Sequence, residues 1–161
     1  MFVDVDIDTM GMSPTALSMF LDTHAEMRNG QVFNKTSGKR IAACIPMHTF
    51  GLPCRIEEIA SICSDWGIAL IEDAAESLGS YVGSRHTGTF GAMGTLSFNG
   101  NKVITSGGGG MILTNSKHNY KILISHQSTE IIILKESKEI TIYNVTVLSR
   151  NKKKYNYIWQ V

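Results

Sequence analysis

An α/β fold built on a mainly parallel sheet is what this 161-residue sequence predicts, and three features carry the prediction. Short apolar runs alternate with stretches of helical spacing. The runs are continuous, as in strands buried on both faces. The connections between them suit right-handed crossovers, which place any ligand at the carboxyl ends of the strands.

The elements follow in order. Phe2 to Val5 reads as a short strand. Ser13 is a helix N-cap with Pro14 at the first helical position, opening a helix to about Met27. Arg28 to Lys39 is polar with two glycines and is expected to be a loop. Ile41 to Pro46 suits a strand buried on both faces, and Ile56, Ile59, Ile62 and Cys63 lie at helical spacing within a helix from Ile56 to Trp66. Ile68 to Ile71, Thr95 to Phe98 and Met111 to Thr114 are the remaining strands.

Asp73 ends one of these strands, and Ser97 and Lys102 follow in the run SFNGNK ahead of four consecutive glycines. A carboxylate, a hydroxyl and an amine placed where apolar strands run out meet the needs of a pyridoxal 5'-phosphate site. That cofactor requires a lysine to hold its aldehyde as a Schiff base and an acid to keep its ring nitrogen protonated. Lys102 would bind the aldehyde and then shuttle a proton. Asp73 would pair with the ring nitrogen, an interaction on the order of 5 kcal/mol at about 3 Å and a dielectric of about 20, before desolvation. Ser97 would donate to the phosphate. Glu76, three residues past Asp73, would share a face with it if a helix starts there, and could then reach the ring hydroxyl.

Singly, each residue has a plainer reading. An Asp after an apolar strand is most often a helix cap, a lone Lys is usually a solvated surface residue, and a glycine run is more often a turn than a phosphate cradle. In their order and spacing the residues are more specific than any one of them. His48 at a strand end reads as a structural histidine more readily than as a site residue, and His86 as a loop residue near the site. Neither has metal-ligand company, so no metal is expected.

The run from Pro46 to Asn115, with IEDAAESLGS, SFNGNK and SGGGGM, resembles the DegT/StrS-type nucleotide-sugar aminotransferases, a branch of the fold-type I pyridoxal phosphate enzymes. The resemblance implies a fragment of the three-layer fold-type I large domain, with Asp73 on the pyridine nitrogen, Ser97 on the phosphate and Lys102 as the Schiff-base lysine. The position of Glu76 is commonly Gln in that family. A related dehydratase subgroup has His where Lys102 stands, so the lysine favours transamination. The opening MFVDVDIDT resembles a strand normally found well inside such an enzyme, and the family's GTxAL phosphate loop and small C-terminal domain have no counterpart in this sequence. The resemblance also implies a homodimer, with a keto-deoxy nucleotide sugar and L-glutamate as reactants, feeding surface polysaccharide.

The family-like part is expected to end near residue 118. In residues 119–161, 22 of 43 are Ile, Lys, Asn or Tyr, while all fifteen glycines and all three prolines lie earlier. These residue types follow A/T-rich codons, so a shifted reading frame and a poorly ordered tail are expected there. The basic run RNKKKY reads as a solvated end rather than a nucleic-acid patch. Net charge is +1, which favours neither nucleic acid nor membrane as a partner. Cys44, Cys54 and Cys63 are odd in number and lack CxxC spacing, so disulfides and zinc are not expected and the reducing cytoplasm is. The expected function is an incomplete transaminase, inactive as this fragment. The alternatives are a catalytically dead fragment acting in chain pairing or binding, and a nucleotide-binding module using the glycine run.

Overall fold

The computed structural model describes residues 1–114 and 116, and the backbone of 130–133, 145–148 and 154–157. The N-terminal residues form no strand. Val5 makes only an isolated bridge to Met12, because the chain reverses at once, with the Met10 amide bonded to the Asp6 carbonyl and the Asp6 amide to that of Gly11. The expected strand at Phe2 to Val5 is therefore replaced by a tight turn, and Phe2 is fully exposed.

Helix α1 spans Pro14–His24. Its start follows the sequence: Ser13 is extended, its Oγ accepts from the Ala16 amide at 3.3 Å, and Pro14 loses no hydrogen bond in the first turn. Pro14, Leu17 and Leu21 form its buried side. The helix stops before Met27 because Ala25–Arg28 (β1) pairs antiparallel with Gln31–Asn34 (β2). The expected loop from Arg28 to Lys39 is thus in large part a hairpin. Its signal was the Asn29-Gly30 dipeptide, whose φ angles of 50° and 72° form the two-residue turn that matches strand twist.

The main sheet has the order β3-β4-β7-β8-β9: Ala43–Cys44 (β3), Ala69–Asp73 (β4), Met93–Ser97 (β7), Gly110–Thr114 (β8) and Glu130–Ile133 (β9). Tyr81–Val82 (β5) and Arg85–His86 (β6) form a separate small hairpin, as do Val145–Leu148 (β10) and Lys154–Tyr157 (β11). Pairings β3/β4, β4/β7 and β8/β9 are parallel and β7/β8 is antiparallel. Apart from these three late strands, the tail expected from residue 119 onward lies outside the described residues. The expectation of burial on both faces for Ile41 to Pro46 is corrected. Among the described strands β3 is at the sheet edge, so Ile41 and Pro46 are buried while Ile45 is 59% exposed.

Helix α2, Ile56–Trp66, buries Ile56, Ile59 and Cys63 and ends at Gly67, whose left-handed φ of 66° lets its amide reach the Cys63 and Ser64 carbonyls. These residues join Leu17, Leu21, Cys44 and Leu70 in the main core. Register places Leu70 and Glu72 on one face of β4, with Gly94, Leu96 and Leu113 on the same face of the neighbouring strands. Asp73 and Ser97 therefore belong to the opposite face, away from α2. Among the described residues no helix is long and apolar enough to cross a membrane.

Segment 86–91 lies over the middle of the covered face. At Gly94 an added Cβ would stand 2.1 Å from the Gly88 carbonyl oxygen, and at Gly91 one would stand 2.4 Å from that of Leu70. Backbone atoms on both sides leave nothing that can yield. Gly94→Ala is therefore expected to cost more unfolding free energy than a typical core overpacking, which costs about 1 to 3 kcal/mol, and so to lower the midpoint of chemical denaturation. An unchanged midpoint would show that segment 86–91 does not rest on β7.

Candidate functional site

Because β4 and β7 are parallel and Asp73 is in register with Thr95, their carboxyl ends share one edge of the sheet. Asp73 is the last residue of β4 and Ser97 the last of β7. The segment from Phe98 to Gly109 leaves β7 and returns antiparallel as β8. It is fastened at its mouth by the Phe98 amide on the Gly109 carbonyl at 3.0 Å and the Ser106 amide on the Phe98 carbonyl at 3.1 Å. Lys102 sits in this loop, and its amide closes a turn on the Asn99 carbonyl at 3.0 Å. Gly107, Gly108 and Gly109 all have positive φ, and an added Cβ at Gly107 or Gly108 would meet nothing within 4 Å. The glycine run is thus an open turn beside Ser97, with backbone that an anion can approach closely.

The individual contacts differ from a simple reading. No helix follows Asp73, so Glu76 does not reach the site from a shared helical face. Residues 74–80 form turns, tied by the Ser77 amide on the Ala74 carbonyl and the Ser80 amide on that of Ser77. Asp73 Oδ1 accepts from the Ala75 amide at 3.1 Å, a local turn contact. Among the described residues its Oδ2 accepts no hydrogen bond. Ser97 Oγ accepts a long bond from the Asn99 amide at 3.4 Å. Glu76 meets Lys102 directly: Nζ donates to Oε1 at 2.9 Å, and the Phe50 amide donates to Oε2 at 3.1 Å. The hydrogen bond and charge of Lys102 hold the Glu76 carboxyl below its usual range.

The sheet edge therefore gathers Asp73, Ser97, Lys102 and Glu76 into one region, with Glu76 as the partner of Lys102. The donor set fits pyridoxal phosphate chemically. It offers a primary amine, a carboxylate with a free oxygen, and a hydroxyl beside an open glycine turn.

His48 is a structural residue. Fully buried, its Nε2 lies 3.1 Å from Glu72 Oε2, and its Nδ1 accepts from the Cys54 amide at 3.3 Å. Cys54 Sγ is 3.6 Å from the same ring, but burial, and next the Glu72 charge, push its thiol up to about 12. A thiol in that state is no nucleophile, so the Cys54-His48-Glu72 alignment is not a catalytic triad. His86 is also not the loop residue expected: it lies in β6, buried, and its Nε2 accepts from the Gly79 amide at 2.9 Å. Burial lowers its pKa, against the opposing pull of its bond to the Thr87 carbonyl.

Sequence reasoning passed over Glu72. Its carboxylate is wholly buried and accepts from the Gly88 amide at 2.7 Å, Phe90 at 2.5 Å and Gly91 at 2.7 Å, besides its contact with His48. The signal was available in ALIED, where a carboxylate occupies the strand position two after a core leucine. Such a group survives burial only with partners on every side.

Comparison with known proteins points the same way. The model of the DegT/DnrJ/EryC1/StrS aminotransferase family matches residues 1–139. The chain is 41% identical over 116 residues to a Bacillus subtilis protein named as a pyridoxal phosphate-dependent aminotransferase, EpsN, covering 72% of this chain and 27% of that one. It is 37% identical over 119 residues to the GDP-perosamine synthase of Escherichia coli O157:H7, covering 74% and 28%. Among solved structures, the Escherichia coli GDP-4-keto-6-deoxy-D-mannose-3-dehydratase with bound hydrated pyridoxal phosphate superposes with a TM-score of 0.60. That match has 30% identity and covers 76% of this chain and 28% of that one. The chain thus spans little more than a quarter of the length of the curated relatives it matches.

Proposed function

The chain belongs to the DegT/DnrJ/EryC1/StrS aminotransferase family, and from that premise we propose that it is the cofactor-holding part of a transaminase that aminates a keto-deoxy nucleotide sugar. The observation that carries the reading is Lys102 in the β7-β8 loop, at the sheet edge where Asp73 ends β4. Pyridoxal phosphate, when bound, supplies an electron sink for the substrate's α-carbon. Asp73 would hold a proton on the ring nitrogen. Ser97 and the amides of the glycine turn would hold the phosphate. Lys102 would hold the aldehyde carbon and move a proton at the reacting carbon. A histidine could not make that attachment, so Lys102 favours amination over dehydration.

The proposal extends to L-glutamate as amino donor, to a homodimer, to a cytoplasmic enzyme feeding surface polysaccharide, and to the 161-residue chain alone having no turnover. Support for the substrate class comes from the GDP-perosamine synthase named above. Support for the lack of turnover is the share of those relatives that the chain spans.

Incubating the chain with pyridoxal phosphate, reducing with borohydride and mapping the modified peptide tests the assignment. The label is expected on the peptide containing Lys102, in preference to Lys35 and Lys39. Labelling spread evenly over the lysines, or concentrated elsewhere, would overturn it.

A further inference from the structure

The pairing of Lys102 with Glu76 has features that ordinary surface ion pairs on this molecule lack. The pairs Arg28-Glu26 and Arg55-Asp8 have arginine side chains 54% and 45% exposed, whereas the Lys102 side chain is 16% exposed. The Glu76 carboxylate is also fixed independently of the lysine. Its second oxygen is held by the Phe50 amide, and Phe50 is kept in the left-handed region at φ 54°.

The turn carrying Glu76 is tied to the same short segment by one more hydrogen bond and lies close against it. Ser80 Oγ donates to the Gly51 carbonyl at 2.7 Å, and a Cβ at Gly51 would stand 2.7 Å from the Glu76 carbonyl oxygen. A carboxylate held this way waits in place for a cation, so less freedom is lost when the cation arrives. The cation it holds is the one amine that the proposed chemistry requires to be neutral and mobile.

We propose that Glu76 is a positioning residue, the resting counter-ion of Lys102, which parks the lysine as an ammonium and restrains its attack on an aldehyde until the pair is broken. The proposal rests on the reading of Lys102 as the cofactor lysine only for its biological meaning. The pairing itself stands apart from the cofactor. For the amine to condense with any aldehyde, Nζ must leave Oε1 and give a proton to solvent, after which nitrogen attacks the carbonyl carbon and water departs.

Reductive methylation with formaldehyde, a small neutral aldehyde, reads this directly, with the rate at Lys102 measured by peptide mass spectrometry relative to exposed Lys39 in the full chain. Glu76→Gln is expected to raise the relative rate at Lys102 by about threefold at low salt. Raising salt to about 1 M should speed the unmodified chain towards the variant and leave the variant unchanged, because only an ion pair is screened. Glu76→Asp, which keeps the charge, should restore part of the slow rate. Equal rates in the parent chain and Glu76→Gln, or an equal salt response in both, would overturn the proposal. Failure of pyridoxal phosphate to label Lys102 in either form, with the methylation difference intact, would instead overturn the cofactor assignment and leave the counter-ion.

Discussion

Lys102→Ala is expected to abolish specific pyridoxal phosphate labelling, and in a full-length family enzyme carrying this segment it should remove turnover while leaving the fold. Among the described residues of the candidate site the deleted amine is the only group able to condense with an aldehyde. Neither Asp73 nor Ser97 can take that role. Its structural duties are slight: among the described residues Nζ makes one hydrogen bond, to Glu76, and the backbone turn to the Asn99 carbonyl does not depend on the side chain. Circular dichroism and the denaturation midpoint should therefore match the parent protein, with borohydride-trapped cofactor reduced to the background of the other lysines. A nucleophile that splits a hard step in two cannot be replaced by binding energy, so kcat should fall far more than KM rises. Turnover retained within tenfold of the parent would show that another residue carries the aldehyde.

Asp73→Asn separates the same chemistry from the fold in a different way. Asparagine can keep the short-range contact to the Ala75 amide, so the turn after β4 should persist. On the proposed assignment the ring nitrogen would lose its counter-charge, and breaking a buried pair typically costs about 3 to 5 kcal/mol. Glu76→Gln returns the residue common in the resembled family and should be mild by comparison. A larger turnover loss from Glu76→Gln than from Asp73→Asn would show the two carboxylates assigned the wrong way round.

What the sequence disclosed and what it hid divide along physical lines. Local signals that act within a few residues were legible: the Ser13 cap with Pro14 behind it, the 3.6-residue spacing of α2, the continuous run of β4 ending at Asp73. The Asn29-Gly30 turn was equally local, yet the polar setting of residues 28–39 concealed the hairpin that it closes. Expectations that depended on a neighbour failed. Phe2 to Val5 had strand-like composition, but among the described residues no strand pairs with it, and Ile45 had a buried pattern on an edge that leaves it exposed. The antiparallel turn of β8 could not be derived from spacing, since a strand does not encode the direction of its partner.

The candidate site was legible to the extent that its proposed chemistry is set by residue type. Asp73 and Ser97 stood out because they stand where apolar strands run out, and Lys102 because it follows Ser97 in the run SFNGNK. The role of Glu76 was not, because it arises from a turn where a helix was a reasonable expectation, and from a contact across 26 positions of sequence. Glu72 was hidden by its neighbour. In ALIED two carboxylates stand side by side, and alternation sends one to each face of the sheet. The chemistry drew attention to Asp73 on the open face, while the structure depends on Glu72 on the closed one.

That dependence yields the other large effect. Glu72→Gln keeps the volume but removes the charge and turns one acceptor oxygen into a donor. Both original oxygens are committed: Oε1 accepts from the Phe90 and Gly91 amides, Oε2 from Gly88 and His48. An amide nitrogen placed in either position faces backbone N–H groups that can accept nothing, leaving at least one buried donor unpaired. Leaving buried polar groups without their charged partner typically costs about 3 to 5 kcal/mol, a large share of the stability of a small domain. The damage should also travel. Glu72 binds segment 86–91 and the His48 turn to the strand that ends in Asp73, and the His48 amide itself donates to the Asp73 carbonyl at 3.0 Å. Amide hydrogen exchange should therefore quicken at Gly88, Phe90 and Gly91 first, with a lowered denaturation midpoint, while Lys102 remains open to labelling in whatever fraction stays folded. Exchange at those three amides unchanged in a folded Glu72→Gln protein would mean that the buried carboxylate is not what holds the loop, and that Asp73 is positioned by its strand alone.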